Sequence, residues 1–374
     1  MKITDVEAII LRQPQMDVSQ ADGSQDALLI RVHTDEGITG VGEVDSLPPV
    51  IKAIVDAPAS HANASGLKAL LIGENPLEID RLWEKMFRGS IYYGRRGPAI
   101  HAMSGIDIAL WDIKGQALSQ PISRLLGGPH ATTIRAYAST LMPETPDETR
   151  QVVADLVERG FTAIKLGWGP WGRDPDLDIA LARAAREAAG DQVELMFDIG
   201  LGWPNADHAI RQVRRLAEVH PYWIEEPLAP DDVDGYSKLA DAVETPIAAG
   251  EHDSSRWGFR ELIDRARVDI IQPDVTRAGG ISECLRIGQM AALRGVSTVT
   301  HSWSTGIIKA ASLHVLAALP GATFFEYCVQ ETALNQALTV ERFPLSANGH
   351  VAFPTAAGLG IEIDEAMVEQ FRIR

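Results

Sequence analysis

The sequence predicts an α/β protein built on a (β/α)7β barrel, with an α+β domain in front of it. From about residue 134 onward, eight short apolar runs alternate with amphipathic helical patterns at a steady interval. Right-handed crossovers on a continuous parallel sheet of eight strands close the sheet on itself. An open doubly wound sheet is the structural alternative that this pattern leaves.

The eight runs are short and rich in β-branched and aromatic residues, as buried parallel strands are. They are IRAYAS (134–139), FTAIKLG (161–167), VELMFD (193–198), YWIEE (222–226), PIAAGE (246–251), VDIIQPD (268–274), VSTVTH (296–301) and TFFEY (323–327). The segments between them, such as ISECLRIGQMAALRG, repeat apolar residues at three- and four-residue spacing. We therefore expect seven crossover helices.

We divide the chain into three parts. Residues 1–128 begin with the strand-like TDVEAIIL, ALLIRVHTD and GITGVGEV, continue with helical patterns, and predict an N-terminal α+β capping domain. Residues 129–345 form the TIM-like barrel, the catalytic domain. Residues 346–374 regain strand character but are too short for a core of their own, so we expect this C-terminal segment to return to the capping domain.

Composition excludes several classes of protein. The 374 residues contain 34 Lys and Arg against 51 Asp and Glu, a formal net charge of −17, which repels nucleic acid and anionic membrane surfaces. We find neither an apolar stretch of membrane-spanning length nor a secretory signal. Cys284 and Cys328 form no CxxC or Cys/His cluster, so a zinc site is not expected. A cytoplasmic enzyme with a small-molecule substrate fits.

Ionisable residues end seven of the predicted strands. They are Lys165, Asp198, Glu225, Glu251, Asp274, His301 and Glu326. Any one of them alone could be a helix cap or a solvated loop residue. In parallel barrels the carboxyl ends of the strands line the active site, where buried unpaired charges are costly unless they share a ligand. We therefore expect these side chains to surround one site.

Three acids come from consecutive strands, namely Asp198, Glu225 and Glu251. Like charges this close cannot all remain ionised without a cation. A hard, oxygen-seeking divalent ion is expected, and Mg2+ is favoured because no His/Cys ligand pattern accompanies the acids. Strand alternation alone does not choose Glu225 over the adjacent Glu226.

Asp274 and His301 end the next two strands, where a carboxylate can hold an imidazole and raise its basicity. They predict a proton-transfer dyad, although a lone buried His is more often structural. Lys165 faces this pair across the barrel, and Glu326 closes the ring. Burial disfavours the ammonium form of a lysine, so Lys165 could act as an acid or base, or pair with a substrate carboxylate.

Together these motifs resemble the enolase superfamily, and specifically its mandelate racemase subgroup. The matching stretches cover essentially the whole chain: AMSGIDIALWD (102–112), AIKLG, LMFD, WIEEP, AAGEH, IIQPD with GG after it, HSWSTG, and GLGIEI. The resemblance implies that the three acids bind the metal, with Glu225 as the ligand from the EEP motif. It also implies that His301 and Asp274 are the acid–base dyad. Glu326 would hydrogen-bond a substrate carboxylate oxygen, and relatives are commonly symmetric homo-oligomers.

One departure from the family pattern bears on the reaction. Many relatives carry Lys-x-Lys on the second strand, whereas this chain has Lys165, Leu166 and Gly167. Racemisation needs acid–base groups on both faces of the α-carbon, but dehydration needs one base and an acid for the leaving hydroxyl. Members with a single lysine, and with His after the fifth-strand Glu as His252 is here, resemble rhamnonate dehydratase-like acid sugar dehydratases. The role of His252 stays open.

The resemblance thus implies an Mg2+-dependent acid sugar dehydratase, a hydro-lyase. It would abstract the proton alpha to a carboxylate, form a metal-stabilised enediolate and eliminate the β-hydroxyl to give a 2-keto-3-deoxy acid. The capping-domain loops at 13–25 and 92–98 would choose the substrate.

Three other functions stay open within the same frame. The alternatives are a racemase or epimerase using Lys165 and His301, a cycloisomerase working by the same enolate chemistry, and a non-catalytic relative. A GxGxxG spacing at 167–172 also suggests a dinucleotide site, but prolines keep that segment a loop.

Overall fold

The computed structural model describes residues 1–373, which begin with a small antiparallel sheet. Its strands pair in the order β1 (Ile3–Arg12), β2 (Asp26–Thr34) and β3 (Thr39–Val44). Five helices follow: α1 (Pro48–Asp56), α2 (Leu67–Leu71), α3 (Ile79–Gly89), α4 (Pro98–Leu118) and α5 (Ile122–Leu125). Apolar residues of the sheet pack on the buried faces of α1, α3 and α4, which gives this unit its own core.

Eight strands of the second unit follow in the predicted order. They are β4 (Thr133–Leu141), β5 (Ala163–Gly167), β6 (Glu194–Asp198), β7 (Trp223–Glu225), β8 (Ile247–Ala249), β9 (Ile270–Ile271), β10 (Ser297–Thr298) and β11 (Phe324–Cys328). Seven long crossover helices alternate with them: α6 (Pro146–Glu158), α7 (Pro175–Ala189), α8 (Ala206–Leu216), α9 (Val233–Ala240), α10 (Ser255–Glu261), α11 (Gly280–Ala292) and α12 (Gly306–Ala318).

The parallel sheet curls until its first strand meets its last. Each strand from β4 to β9 pairs with the next, and β4 also pairs in parallel with β11. Within residues 1–373, no ladder joins β10 to β11, so the ring keeps one seam. The predicted fold class, a (β/α)7β barrel with a separate α+β capping domain, is confirmed.

The barrel interior is filled by one apolar side chain from each strand or its immediate end. This layer consists of Tyr137, Ala163, Met196, Trp223, Ala248, Ile270, Val299 and Phe324. The rings of Tyr137 and Trp223 meet edge to face with centroids 5.5 Å apart. Because strand side chains alternate, the residue after each layer member packs outward on the helices and the next one points inward again. The core layer therefore sets which side chains reach the mouth.

The chain's last elements contact both units. After α13 (Ala333–Ala337), the short strand β12 (His350–Ala352) pairs antiparallel with β4 of the barrel. Helix α14 (Glu365–Phe371) is followed by Ile373, whose backbone N–H donates to the Ile10 carbonyl of β1 at 2.9 Å. In the described part of the chain, no helix combines the length and the hydropathy that a bilayer crossing needs.

The capping domain is joined to the barrel at the loop that follows β10. Glu43, at the end of β3, accepts hydrogen bonds from the Thr305 hydroxyl at 2.8 Å and from the Ile308 N–H at 3.0 Å. These groups begin helix α12, whose free N–H groups favour an acidic partner. Burial, only partly opposed by the hydrogen bonds it accepts, raises the pKa of Glu43 from 4.5 to about 7.

This pKa makes stability depend on pH. The folded protein holds the Glu43 proton more tightly than the unfolded chain does. The resulting stability is fully present below pH 4.5 and is lost as the pH rises through about 7, by up to about 3 kcal/mol. We expect Glu43→Gln to lose less thermal stability than the wild type between pH 5 and pH 8. Differential scanning fluorimetry at both pH values tests this, and equal losses would contradict it.

Candidate active site

Three buried acids lie side by side at the mouth of the barrel. Asp198 and Glu225 end neighbouring strands and are direct partners in the β6–β7 register, and Glu251 follows β8. One oxygen from each lies within 4.8 Å of the other two. Glu225 points inward because it is two residues beyond Trp223, a member of the core layer. The structure therefore brings together the three predicted metal ligands.

This donor set fits a hard divalent cation. All three side chains are buried and offer only carboxylate oxygens, the ligands that Mg2+ and similar ions prefer. Burial and the neighbouring Glu225 raise the pKa of Asp198 well above its usual value, although Lys165 opposes them. Like charges at this spacing oppose ionisation until a cation is shared between them. A divalent ion would remove that penalty.

Glu226, next to Glu225, has a different environment. Its backbone φ of +39° interrupts the strand alternation. One oxygen of Glu226 lies 2.5 Å from His252 Nδ1, and the other accepts from the Gly250 N–H at 3.2 Å. Glu226, Glu251 and His252 also bring ligand atoms within 4.8 Å of one another, but the bond between Glu226 and His252 engages two of the three. The triad containing Glu225 is therefore the better candidate.

Lys165 lies between the triad and the last strand. Its Nζ donates to Glu225 at 2.5 Å and lies 2.8 Å from Glu326. Burial alone would lower the pKa of Lys165, but these two carboxylates outweigh it and raise the pKa well above the usual value. The ammonium form is therefore favoured, which suits Lys165 to bind an anion better than to remove a proton.

His301 and Asp274 form the predicted pair. His301 Nδ1 lies 2.6 Å from one oxygen of Asp274, whose other oxygen accepts from the backbone N–H and the hydroxyl of Thr276, both at 2.6 Å. Nε2 of His301 is thereby left on the triad side, 3.4 Å from Glu251. Burial lowers the pKa of His301, but the facing carboxylates outweigh it and raise the pKa to about 10.

Glu326 is held by groups from three strands. One oxygen accepts from the Ser139 hydroxyl at 2.7 Å, and the other accepts from the Ser302 backbone N–H at 2.6 Å. Burial would raise the pKa of Glu326, but Lys165, His301 and these hydrogen bonds lower it to about 2. A carboxylate held ionised in this way accepts hydrogen bonds and does not donate them.

Sequence reasoning missed an ion pair that connects the two domains at the site. Arg277 donates from Nη2 to a carboxylate oxygen of Asp45 at 2.7 Å and from Nε to the Asp45 carbonyl at 2.9 Å. Its guanidinium also lies 3.7 Å from Asp274 and 3.9 Å from Glu251. Only the positions of these two residues in the sequence could have indicated the pair: Arg277 lies three residues after Asp274, and Asp45 directly follows strand β3.

These side chains surround a cavity of about 330 Å³. The predicted specificity loop at 13–25 reaches it through residues 21–23, and Trp168 and Trp303 supply apolar walls. The second predicted loop, 92–98, lies elsewhere. Its Arg96 pairs with Glu261 at 3.1 Å, and the Gly97 N–H donates to the Ser254 hydroxyl at 3.0 Å. It contacts the start and end of α10 and not the cavity wall.

Gly167, which replaces the second lysine of the family pattern, packs directly on a predicted metal ligand. A Cβ at this position would lie 2.7 Å from Oδ2 of Asp198 and 2.9 Å from its Cβ. Real Cβ atoms essentially never come that close to another heavy atom. In this arrangement of the strands, position 167 therefore has no room for a second base.

Comparison with known proteins agrees with this geometry. Residues 3–127 match the mandelate racemase / muconate lactonizing enzyme N-terminal domain, and residues 148–367 match the enolase C-terminal domain-like family. D-galactarolactone cycloisomerase of Agrobacterium fabrum is 33% identical over all of this chain and 99% of its own length. D-galactonate dehydratase of Verminephrobacter eiseniae is 36% identical over 91% of this chain and 90% of its own.

A solved structure extends the likeness to the whole architecture. The 3,6-anhydro-D-galactonate cycloisomerase of Zobellia galactanivorans superposes with a TM-score of 0.91 at 31% identity, over the full length of both chains. The chain belongs to the enolase superfamily and, within it, to the mandelate racemase and muconate lactonizing enzyme group. The resemblance inferred from the sequence is confirmed, as is the prediction that the protein is an enzyme.

The neighbouring acids 225 and 226 offer a matched test of the metal site. We expect Glu225→Gln to weaken Mg2+ binding roughly ten-fold or more, because it removes a charge from the triad. Glu226→Gln removes a charge from the adjacent residue, outside the triad, and should weaken binding less. Isothermal titration calorimetry measures both, with circular dichroism to check the fold. A larger loss of Mg2+ affinity in Glu226→Gln would show that Glu226, and not Glu225, is the metal ligand.

A second prediction concerns the packing of Gly167. Gly167→Ala adds one methyl group against Asp198 and should displace that carboxylate, weakening Mg2+ binding roughly ten-fold. Gly190→Ala is a control for glycine loss, because a Cβ there meets no atom within 4 Å, although its φ of +69° carries some strain. Titration calorimetry compares the two variants. Unchanged binding in Gly167→Ala would show that the strands adjust to a side chain at this position.

Proposed function

We propose that the protein is an Mg2+-dependent sugar acid dehydratase that forms a 2-keto-3-deoxy acid. The observation that carries this proposal is the one-sided placement of its acid–base chemistry. His301, supported by Asp274, presents Nε2 to the cavity, whereas the opposite side holds Lys165, ion-paired to Glu225 and Glu326, and Gly167 where relatives have a second lysine. Dehydration by syn elimination needs acid–base groups on one side only, whereas racemisation needs them on both.

The reaction begins at a carbon next to a carboxylate, whose proton is a very weak acid. Bound Mg2+, held by Asp198, Glu225 and Glu251, would stabilise the negative charge that develops on the substrate carboxylate. Lys165 reinforces this by binding the same carboxylate as a buried cation. Glu326, held ionised, orients Lys165 and accepts a hydrogen bond from a substrate hydroxyl. It would therefore not donate to the substrate carboxylate oxygen, which is the partner that the family resemblance implies.

His301 is the group that transfers the proton. Its Nδ1 is occupied by Asp274 at 2.6 Å, so the ring is fixed in orientation and only Nε2 can exchange a proton with the substrate. A cation held by Glu251 would offset one of the carboxylates that raise the pKa of His301. His301 could then serve as the base that takes the α-proton, as the acid that protonates the departing hydroxyl, or as both in a syn elimination. Trp168 and Trp303 line the cavity in which this exchange would take place.

Cycloisomerisation is the second candidate. Two of the compared proteins are named cycloisomerases, whereas the dehydratase compared above is named for D-galactonate. Opening or closing a ring at the β-oxygen uses the same α-proton and the same histidine. It differs from dehydration only in the leaving group, which is a ring oxygen instead of a free hydroxyl. The substrate distinguishes the two reactions. Loss of the β-hydroxyl from an open-chain acid releases water, whereas elimination of a β-oxygen that belongs to a ring opens the ring and gives an isomer, and the enol tautomerises to a 2-keto acid in both cases.

A substrate panel tests the proposal. The protein is incubated with Mg2+ in deuterated water with C5 and C6 sugar acids and their lactones, and products are assayed for 2-keto acids and for deuterium at carbon 2. Keto acid formed from the open-chain acids is the expected result. Exchange without keto acid would indicate epimerisation, and keto acid formed only from the lactones, without loss of water, would indicate a cycloisomerase.

His301 has its own test. We expect His301→Asn to lower kcat by about 10²–10⁴-fold, because it removes the proton-transferring group, while Mg2+ binding and folding persist. His61→Asn, at an exposed histidine of the capping domain, is the matched control and should retain full turnover. Turnover of His301→Asn near the wild-type rate would remove His301 from the mechanism.

A further inference from the structure

We infer that the cavity selects sugar acids with a single carboxylate over those with a second one, and that Asp22 of the capping domain makes this selection. The inference names the substrate class of the proposed dehydratase and rests on that function. Its basis is that each basic side chain at the cavity is already paired with a carboxylate of the protein.

Four basic side chains line the cavity, and each is paired. Lys165 is bound by Glu225 and Glu326, Arg277 by Asp45, His252 by Glu226, and His301 by Asp274. The distances within these pairs run from 2.5 to 2.8 Å. Among the described cavity-lining residues, no cation is left without an acidic partner. A second substrate carboxylate would therefore find no free positive charge.

A bound metal would not change this balance. A divalent ion held by Asp198, Glu225 and Glu251 would be engaged by them and by the reacting carboxylate of the substrate, and Lys165 is already paired with Glu225 and Glu326. After these pairings one carboxylate of the lining remains unmatched, that of Asp22. A second carboxylate on the substrate would thus be desolvated beside a negative charge, which is costly.

Asp22 is held in place on the cavity wall. It precedes the short 3-10 helix Gly23–Gln25, and its Oδ1 accepts from the Ser24 N–H at 3.0 Å and from the Trp303 indole N–H at 3.1 Å. Trp303 is two residues after His301, so this bond ties the loop to the catalytic strand end. Both hydrogen bonds use Oδ1, which leaves Oδ2 able to accept from a substrate hydroxyl.

The loop around Asp22 is anchored on both sides. The Ser24 carbonyl accepts from the Thr332 hydroxyl at 2.9 Å, and the Gln25 side-chain amide donates to the Asp17 carbonyl at 3.0 Å. A second carboxylate, that of Asp45, lies close by, because a Cβ on Gly23 would be 3.2 Å from it. This wall therefore presents fixed acceptors, which suit the hydroxyl groups of a neutral polyol tail.

Paired probes test the inference by binding, independently of turnover. D-galactonate and galactarate share a carbon chain and differ at carbon 6, which bears a hydroxyl in the first and a carboxylate in the second. We expect galactonate to bind the Mg2+-loaded protein about ten-fold more tightly or better, by titration calorimetry. The pairs xylonate with xylarate and arabinonate with arabinarate are measured in the same way.

Asp22→Asn identifies the residue responsible. It keeps an acceptor for Trp303 but removes the charge, so galactarate should gain about three-fold or more in affinity. Asp17→Asn is the matched control, since it removes a charge from an exposed part of the same loop and should leave the preference unchanged. Equal gains in both variants would assign the effect to overall charge and overturn the role of Asp22.

The outcomes separate this inference from the proposed function. Tighter binding of the monoacids with neither exchange nor keto acid formation would overturn the dehydratase and keep the selection. Equal or tighter binding of the diacids overturns the selection, whatever reaction follows. Failure of every acid in the panel to bind overturns both, because the cavity would then not be a sugar acid site.

Discussion

The structure depends on holding several carboxylates together at one end of a barrel whose interior is filled by apolar side chains. Asp198, Glu225 and Glu251 repel one another at separations below 4.8 Å, and each pays for burial as well. Folding tolerates this because the surrounding side chains supply compensating charge: Lys165 bonds Glu225, and Arg277 lies near Glu251. The negative charge that remains uncompensated contributes to the binding free energy of a divalent cation, because the cation relieves the repulsion between the carboxylates. Stability and function are thus opposed at the same atoms.

The apolar layer beneath the acids gives them their direction. A member of that layer stands two residues before an ionisable side chain in five of the eight strands or their immediate ends, as Trp223 does before Glu225 and Phe324 before Glu326. A one-residue shift in the register of a strand would turn its acidic side chain outward, toward the crossover helices and away from its partners at the site. Packing in the barrel interior therefore secures the geometry of the mouth, although no atom of that layer is chemically active.

Much of this was available from the sequence because it repeats. The eight strands and seven helices recur with a regular period, and an ionisable residue at seven of the eight strand ends marks the same edge of the sheet. What could not be predicted depends on distant contacts. The pair of Arg277 and Asp45 joins residues 232 positions apart, and neither stands out in its local pattern. The departure of loop 92–98 from the cavity likewise follows from its hydrogen bond to Ser254.

Because the barrel has a seam between β10 and β11, the capping domain helps to support the histidine of the site. His301 follows β10, the strand that lacks a ladder partner on one side in residues 1–373, and its backbone is bridged only toward Asp274. On the open side, Glu43 of the capping domain fastens the start of α12, four residues beyond His301. The two domains are thus one functional unit: a barrel grafted onto a foreign cap would inherit the acids but lose the support of its histidine.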